Sequence, residues 1–194
     1  MEAHAWYALA WVVFGVTHSA LANDGIRAWL KPLIGVWYRL LYNIFATVLS
    51  AALVFAAWLS VGFKPFDLPL WGYAVFACLF IAGMRVGKTG YRAYDPGLFS
   101  GMTQIRTGID ETVEPLKTEG LLSYVRHPLY TATFLLLWSL AFSEAGLATA
   151  IWGSLYVLIG VRLEERKLIA LYGEAYEAYR TKVPAFIPWK GRAI

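Results

Sequence analysis

The stretch from Ser123 to Phe142, SYVRHPLYTATFLLLWSLAF, places an arginine and a histidine directly before a proline and an uncharged apolar run. An arginine guanidinium binds planar anions through a fixed fork of donors, and an imidazole titrates near neutral pH. Two carboxylates, Glu164 and Glu165, follow the next apolar run and accept hydrogen bonds. Charged groups of both signs beside apolar runs indicate a polar pocket next to an apolar chamber.

The composition predicts a membrane protein. Hydrophobic residues make up 59% of the 194 residues and charged residues only 15%, whereas a soluble domain has about 25% charged residues. Cys78 is the single cysteine, which excludes an intrachain disulfide and a paired-cysteine metal site, and we predict no bound metal. The first residues lack a basic region before their long apolar run, so we interpret that run as a retained span.

A helix that spans a bilayer needs roughly 20 mostly apolar residues, and five stretches approach that length. The fold class predicted is therefore all-α, with five transmembrane helices and a single domain covering residues 1–194. Its parts are three N-terminal spans within 1–84, a cytoplasmic loop 85–127, a helical hairpin 128–161 and a tail 162–194. The predicted spans are 3–22, 36–61, 68–84, 128–143 and 145–161.

Loop charges predict the orientation. Every lysine and arginine except Lys64 falls on one side of the five predicted spans, and cytoplasmic loops carry the excess of basic residues. The N-terminus is therefore expected outside and the C-terminus in the cytoplasm. The basic residues follow the topology, so anionic lipid headgroups suffice as partners and nucleic acid is not expected.

Two cytoplasmic segments are expected to border the pocket. The loop contains YDPGLFSG, a turn-rich stretch by its proline and glycine content that is a candidate lid or pocket wall. In the tail, apolar residues at helical spacing predict one helix over 162–182, which Pro184 ends. His18 is predicted at the same cytoplasmic depth as His127, near the inner end of the first span.

Each of these residues also has a plain structural interpretation. Arg126 and His127 are compatible with interfacial anchors before a helix that begins at Pro128. The Glu164–Glu165 pair is compatible with a solvated helix face, and Tyr176 and Tyr179 with packing residues. Their combination distinguishes the functional interpretation from these alternatives.

The combination resembles a known family. GLLSYVRHPLYTA followed by GVRLEERKLIALYGEAYEAYRTKVPAFIP is similar to the C-terminal signature of the isoprenylcysteine carboxyl methyltransferase superfamily. That signature is an Arg-His-Pro-x-Tyr element, an apolar hairpin, a Glu-Glu pair and spaced tyrosines before a Val-Pro. The N-terminal FGVTHSALA resembles a His-Ser element of a bacterial branch that includes methanethiol S-methyltransferases and NnrU-type membrane proteins.

The resemblance implies an integral membrane enzyme that uses S-adenosylmethionine and releases S-adenosylhomocysteine. The residues that it assigns to the cofactor are Arg126, His127, Tyr130, Glu164, Glu165, Tyr176 and Tyr179, with Leu116 and Gly120 in the segment that leads into the pocket. Many relatives have a glycine where this chain has Ala132, which is expected to narrow a close helix contact or an approach to the cofactor. Many also have Gly-Pro-Tyr where this chain has Gly120-Leu121-Leu122.

The expected chemistry is methyl transfer to a small or lipophilic acceptor, with a thiol favoured. Arg126 or His127 is expected to meet the cofactor carboxylate. A thiol reacts as its thiolate, so we predict His18 and Arg126 as catalytic residues, with His18 taking a proton or positioning the acceptor. A prenylcysteine carboxylate or a phospholipid amine is an alternative acceptor. A haem- or quinone-binding protein and a non-catalytic membrane accessory protein are the alternatives from other classes.

Overall fold

The computed structural model describes residues 2–109 and 114–193, and in these ranges the chain is helical, which confirms the predicted all-α class. The helices in chain order are α1 Glu2–Leu21, α2 Asp24–Ile34, α3 Tyr38–Ser60, α4 Leu70–Tyr91, α5 Pro96–Ser100, α6 Met102–Thr107, α7 Pro128–Ser139, α8 Glu144–Tyr172 and α9 Glu174–Lys182. Short 3-10 turns lie at Gly35–Trp37 and Gly120–Ser123.

The chain divides into two compact units. Unit 1 comprises Met1–Lys64 and Tyr94–Val113, and unit 2 comprises Pro65–Ala93 and Glu114–Ile194. The predicted single domain over residues 1–194 stays a prediction, and each unit is described by itself.

Unit 1 is built on the pairing of α1 with α3. Tyr7 and Phe14 of α1 and Leu53 and Ala57 of α3 are its buried side chains. The Tyr38 hydroxyl, at the start of α3, donates to the carbonyl of Leu21 at the end of α1. This bond fixes the two helix ends to each other, and α2 forms in the connection between the first two predicted spans.

The stretch YDPGLFSG contains the short helix α5 rather than turns alone. Asp95 caps the helix by accepting from the Leu98 amide, and Pro96 occupies the first turn, where its missing N–H costs nothing. The α3 side chains Arg39 and Asn43 donate to the carbonyl of Phe99. The stretch is therefore held on α3 by hydrogen bonds, and its predicted role as a lid stays a prediction.

Unit 2 is organised around the packing of α7 on α4. Gly83 of α4 faces α7 so closely that an added Cβ atom would lie 2.9 Å from Leu136 Cγ. An added Cβ atom at Gly87 would lie 3.4 Å from that of Ala132, which is buried. Ala132 therefore meets a glycine on the facing helix, which keeps the two backbones close.

The helices α7 and α8 form a hairpin with a turn at residues 140–143, and SEAG contains the end of this turn and the start of α8. Ser143 caps α8 by accepting from the Gly146 amide. An added Cβ atom at Gly146 would lie 1.6 Å from the carbonyl oxygen of Leu140, so only glycine fits there. Further along the hairpin, Trp138 Nε1 donates to Ser154 Oγ at 3.1 Å.

The boundaries of two predicted elements are wrong. The helix of the predicted fifth span does not end near residue 161 but continues as α8 through the charged stretch to Tyr172, and Gly173, with φ of 57°, separates it from α9. The predicted tail helix 162–182 is thus two helices. The third span likewise continues to Tyr91, inside the segment predicted as a loop. Charged side chains end an apolar run without ending the helix, because they are themselves good helix formers.

Three helical stretches of the described residues are long and apolar enough to cross a membrane, namely Asp24–Ser60, Leu70–Tyr91 and Glu144–Tyr172. The chain is therefore a membrane protein. Of the other predicted spans, α7 has 12 residues and a length of about 18 Å, short of the roughly 30 Å hydrocarbon core.

Candidate cofactor site

One carboxylate oxygen of Glu165, on α8, accepts hydrogen bonds from two other parts of unit 2, the segment before α7 and the helix α9. Oε1 accepts from Arg126 Nε at 3.0 Å and from Arg126 Nη2 at 2.6 Å. His127 Nε2 lies 3.0 Å from the same oxygen and must carry its proton, because a carboxylate only accepts. The Tyr176 hydroxyl of α9 donates to it at 3.4 Å. These four residues are called the Glu165 cluster.

The Glu165 cluster is largely shielded from solvent. The side chains of Arg126, His127 and Glu165 are 10%, 4% and 15% exposed. Such charges are stable only when they are paired and hydrogen-bonded, which the shared oxygen achieves. Burial raises the pKa of the Tyr176 hydroxyl above its ordinary value, and the Glu165 carboxylate acts in the same direction. The hydroxyl therefore stays protonated near neutral pH and remains a donor.

The end of α9 and the residues that follow it hold Arg126 and His127 from the other side. The amides of Arg126 and His127 donate to the carbonyls of Pro184 and Ala185 at 2.9 and 3.1 Å. Arg126 Nη1 donates to the carbonyls of Arg180 and Val183. Since Pro128 starts α7, the two preceding amides lie outside the helix, and these bonds satisfy them.

An aromatic cluster fixes α9. Tyr176, Tyr179 and Val183 are buried together, and Leu116 packs against them. The Tyr179 hydroxyl donates to the carbonyl of Leu122, in the 3-10 turn that begins at Gly120 with φ of 61°. The segment before Arg126 and the helix that carries Tyr176 are thereby held to each other.

The structure brings most of the predicted site residues together in unit 2. Arg126, His127, Glu165 and Tyr176 share hydrogen bonds, and the Tyr130 ring lies 5.7 Å from that of His127. Leu116, Gly120 and Tyr179 belong to the surrounding framework described above. Glu164 differs, because within the described ranges it makes no hydrogen bond or ion pair with the cluster.

His18 lies in unit 1, on α1. The Tyr42 hydroxyl of α3 lies 3.0 Å from His18 Nε2, and the His18 ring lies 5.4 Å from that of Phe14. The residue predicted as an acid–base group therefore has an oriented imidazole in an aromatic setting. Tyr42 was not predicted, although its spacing of one helical turn from Tyr38 puts both hydroxyls on one face of α3.

Sequence reasoning also missed Arg180 and the carbonyls of residues 183–185. Arg180 Nη1 lies 3.9 Å from Glu165 Oε2. Arg180 was counted only as a topological charge, although it directly follows a tyrosine predicted to bind the cofactor. Backbone carbonyls carry no residue-type signal, and the Val-Pro of the signature was the only pointer to them.

Fold and site together define a class: a helical membrane protein with a buried Arg–His–Glu–Tyr cluster at the α7–α8 hairpin. The relatives narrow it. A methanethiol S-methyltransferase of Crocosphaera subtropica is 32% identical over 186 residues, which are 93% of this chain and 72% of that protein. The chain belongs to the isoprenylcysteine carboxyl methyltransferase superfamily, in its bacterial methanethiol S-methyltransferase branch, and is a membrane methyltransferase.

Two further relatives show the breadth of the family. A methanethiol S-methyltransferase of Pseudomonas deceptionensis is 27% identical over 187 residues, with 91% of this chain and 69% of that protein covered. A protein-S-isoprenylcysteine O-methyltransferase of Schizosaccharomyces pombe is 27% identical over 181 residues, which cover 88% of this chain and 70% of that protein. No protein-family model and no solved structure gives a significant match.

Proposed function

We propose that the protein transfers a methyl group from S-adenosylmethionine to a small thiol. The observation that carries the proposal is the likeness, along 93% of this chain, to a protein named methanethiol S-methyltransferase. When bound, S-adenosylmethionine supplies a methyl group on a cationic sulfur. The new bond joins this methyl carbon to the thiol sulfur while the old carbon–sulfur bond breaks, and the thiol proton is lost. The products are a thioether and S-adenosylhomocysteine.

The donor set of the Glu165 cluster fits such a cofactor. The cofactor carries an ammonium group, a carboxylate, ribose hydroxyls and an adenine. Glu165 offers a carboxylate whose Oε2 has no hydrogen bond from the described residues, and aromatic rings suit a cationic sulfur. Glu165 and Tyr176 would hold the cofactor, and Arg126 and His127 would fix the carboxylate that contacts it. Glu164, Leu116, Gly120, Tyr130 and Tyr179 would complete the site or its frame.

His18 is the residue that we propose to accept the thiol proton. An imidazole is suited to this step near neutral pH, and the hydrogen bond to Tyr42 orients the ring. The support is chemical, since a thiol reacts only after it has lost its proton. A dry, apolar setting for the reacting atoms favours a transition state in which the sulfonium charge disappears.

The proposal includes the topology. Five spans, with the N-terminus outside the bacterial inner membrane, the C-terminus in the cytoplasm and lipids around the helices, agree with the isolation of Lys64 from all other lysines and arginines. In a Cys78→Ala background, Lys64→Cys should react with an impermeant maleimide added to spheroplasts, and Arg92→Cys only after lysis. The reverse labelling would overturn this orientation.

The experiment that tests the function combines binding and turnover. Detergent-purified protein is titrated with S-adenosylhomocysteine by calorimetry and then supplied with methyl-labelled S-adenosylmethionine and methanethiol. We expect saturable binding and a labelled thioether. No binding to a well-folded sample would exclude the cofactor. Labelling of a prenylcysteine carboxylate but never of a thiol would replace the acceptor with that of the Schizosaccharomyces relative.

A further inference from the structure

The guanidinium of Arg126 is almost fully engaged by the protein itself. It has five N–H donors. Nε and Nη2 donate to Glu165 Oε1, and Nη1 donates to the carbonyls of Arg180 and Val183, so four of the five are used. A two-pronged contact with a ligand carboxylate needs two parallel donors. Arg126 therefore cannot make that contact without giving up bonds that hold the site, and its role is to position other groups.

Unlike Arg126, Glu165 and Arg180 have hydrogen-bonding groups that the described residues leave unused. Within the described part of the chain, no hydrogen bond reaches Glu165 Oε2 or comes from the Arg180 guanidinium. Arg180 Nη1 and Oε2 lie 3.9 Å apart, an ion pair too long for a hydrogen bond. The Arg180 side chain is 43% exposed, so its donors are accessible. A carboxylate oxygen and a guanidinium thus face each other with unused hydrogen-bonding capacity.

The backbone of Arg180 is nevertheless fixed. Its carbonyl accepts from Arg126 Nη1 at 3.0 Å, and the neighbouring Tyr179 is buried with its hydroxyl bonded to Leu122. The side chain therefore extends from a held backbone, which lowers the entropy lost when a ligand orders it. Arg126 accordingly positions both partners, Glu165 through its carboxylate and Arg180 through its carbonyl.

We propose that Arg180 and Glu165 Oε2 together bind the amino-acid end of the cofactor. The ligand carboxylate meets the Arg180 guanidinium and the ligand ammonium meets Oε2. An α-amino acid carries both charges on one carbon, which complements two opposite charges held side by side. Two charge-assisted hydrogen bonds then replace one long ion pair. The assignment rests on the proposed function and names residues for one part of its site.

Two ligands separate this contact from the rest of the site. S-adenosylhomocysteine carries the amino-acid end, and 5′-methylthioadenosine has the same adenosine and thioether sulfur without it. Both are titrated into the detergent-purified full chain by calorimetry. In Arg180→Gln we expect S-adenosylhomocysteine to bind about tenfold or more weakly, since hydrogen bonds to charged groups are lost. The affinity for 5′-methylthioadenosine should stay within about twofold.

Arg166→Gln is the matched control. Arg166 is an exposed arginine next to Glu165, and within the described residues it makes no hydrogen bond or ion pair. This variant should bind both ligands like the parent protein, and Arg180→Lys should recover part of the affinity lost in Arg180→Gln.

Two outcomes overturn the assignment alone. The first is that Arg180→Gln binds S-adenosylhomocysteine as tightly as the parent protein does. The second is that Arg180→Gln loses the same factor of affinity for both ligands, which would mean that Arg180 supports only the fold. If neither ligand binds the well-folded parent protein, the proposed function fails and the assignment fails with it.

Discussion

The Glu165 cluster of unit 2 and the His18–Tyr42 pair of unit 1 are built on opposite principles. In the Glu165 cluster, side chains from three elements share one carboxylate oxygen, and carbonyls of residues 180–185 hold the arginine from behind. The His18–Tyr42 pair joins α1 and α3 through a hydrogen bond between the Tyr42 hydroxyl and the His18 imidazole, and the two rings lie 5.2 Å apart. The first site is assembled by many cross-links and suits a polar, charged ligand. The second places an imidazole beside aromatic rings.

The difference has an energetic consequence. Removing one partner from a buried ion pair leaves a charge without compensation, which costs about 3–5 kcal/mol. Removing one neutral hydrogen bond costs about 0.5–1.5 kcal/mol. Substitutions in the Glu165 cluster should therefore lower binding and stability together, whereas substitutions at the His18–Tyr42 pair should lower turnover more than stability.

Glu165→Gln should have the largest effect. It removes the carboxylate charge that compensates Arg126 and pairs with His127. We therefore expect the affinity for S-adenosylhomocysteine to fall at least about 100-fold and the unfolding temperature in detergent to decrease. The variant for comparison is Glu164→Gln, which changes the neighbouring carboxylate without breaking a hydrogen bond and should lower the affinity by less than Glu165→Gln. Equal losses in the two variants would contradict the pairing of Glu165 with Arg126.

His18→Ala should have the second-largest effect. Turnover of a thiol should fall about 100-fold, the usual range for removing a general base, while S-adenosylhomocysteine binds unchanged. Tyr42→Phe keeps the ring and removes only the hydroxyl, and should lower turnover about two- to tenfold. Rates are measured with radiolabelled methyl donor at several pH values. Full turnover of His18→Ala at every pH would remove His18 from the mechanism.

Gly83→Ala should have the smallest effect on activity, because it acts only on the scaffold of unit 2. The added methyl group meets Leu136 of α7, and we expect a loss of about 1–3 kcal/mol in stability. Gly160→Ala is the control, because nothing lies within 4 Å of its added Cβ atom. Intrinsic fluorescence on heating compares the two variants. A Gly83→Ala protein as stable as Gly160→Ala would contradict the close packing of α4 on α7.

The sequence predicted the residue types of the Glu165 cluster but not its connections. Arg126, His127 and Glu165 stand out as charges beside apolar runs. Which of Glu164 and Glu165 points at them depends on the rotation of α8 about its axis, since consecutive residues lie about 100° apart on a helix. That rotation follows from packing along the whole hairpin and not from any local pattern.

Helix boundaries show the same limit. The capping residues Ser143 and Asn23 and the helix-ending Gly173 are local signals that the structure uses. The charged stretch from Arg162 to Lys167 was taken as the end of a span because charge marks a membrane boundary. Charge does not mark the end of a helix, and only the continuous α8 brings Glu165 to the height of Arg126.

The carbonyls that hold Arg126 have a consequence for biosynthesis. Val183, whose carbonyl binds Arg126, is translated 57 residues after it, and Ala193, whose amide donates to the Ser123 carbonyl, later still. The apolar helices therefore leave the ribosome and enter the bilayer before the pocket can close. A nascent chain interrupted after α8 would be inserted but inert, and purification tags are safer at the N-terminus, far from these late contacts.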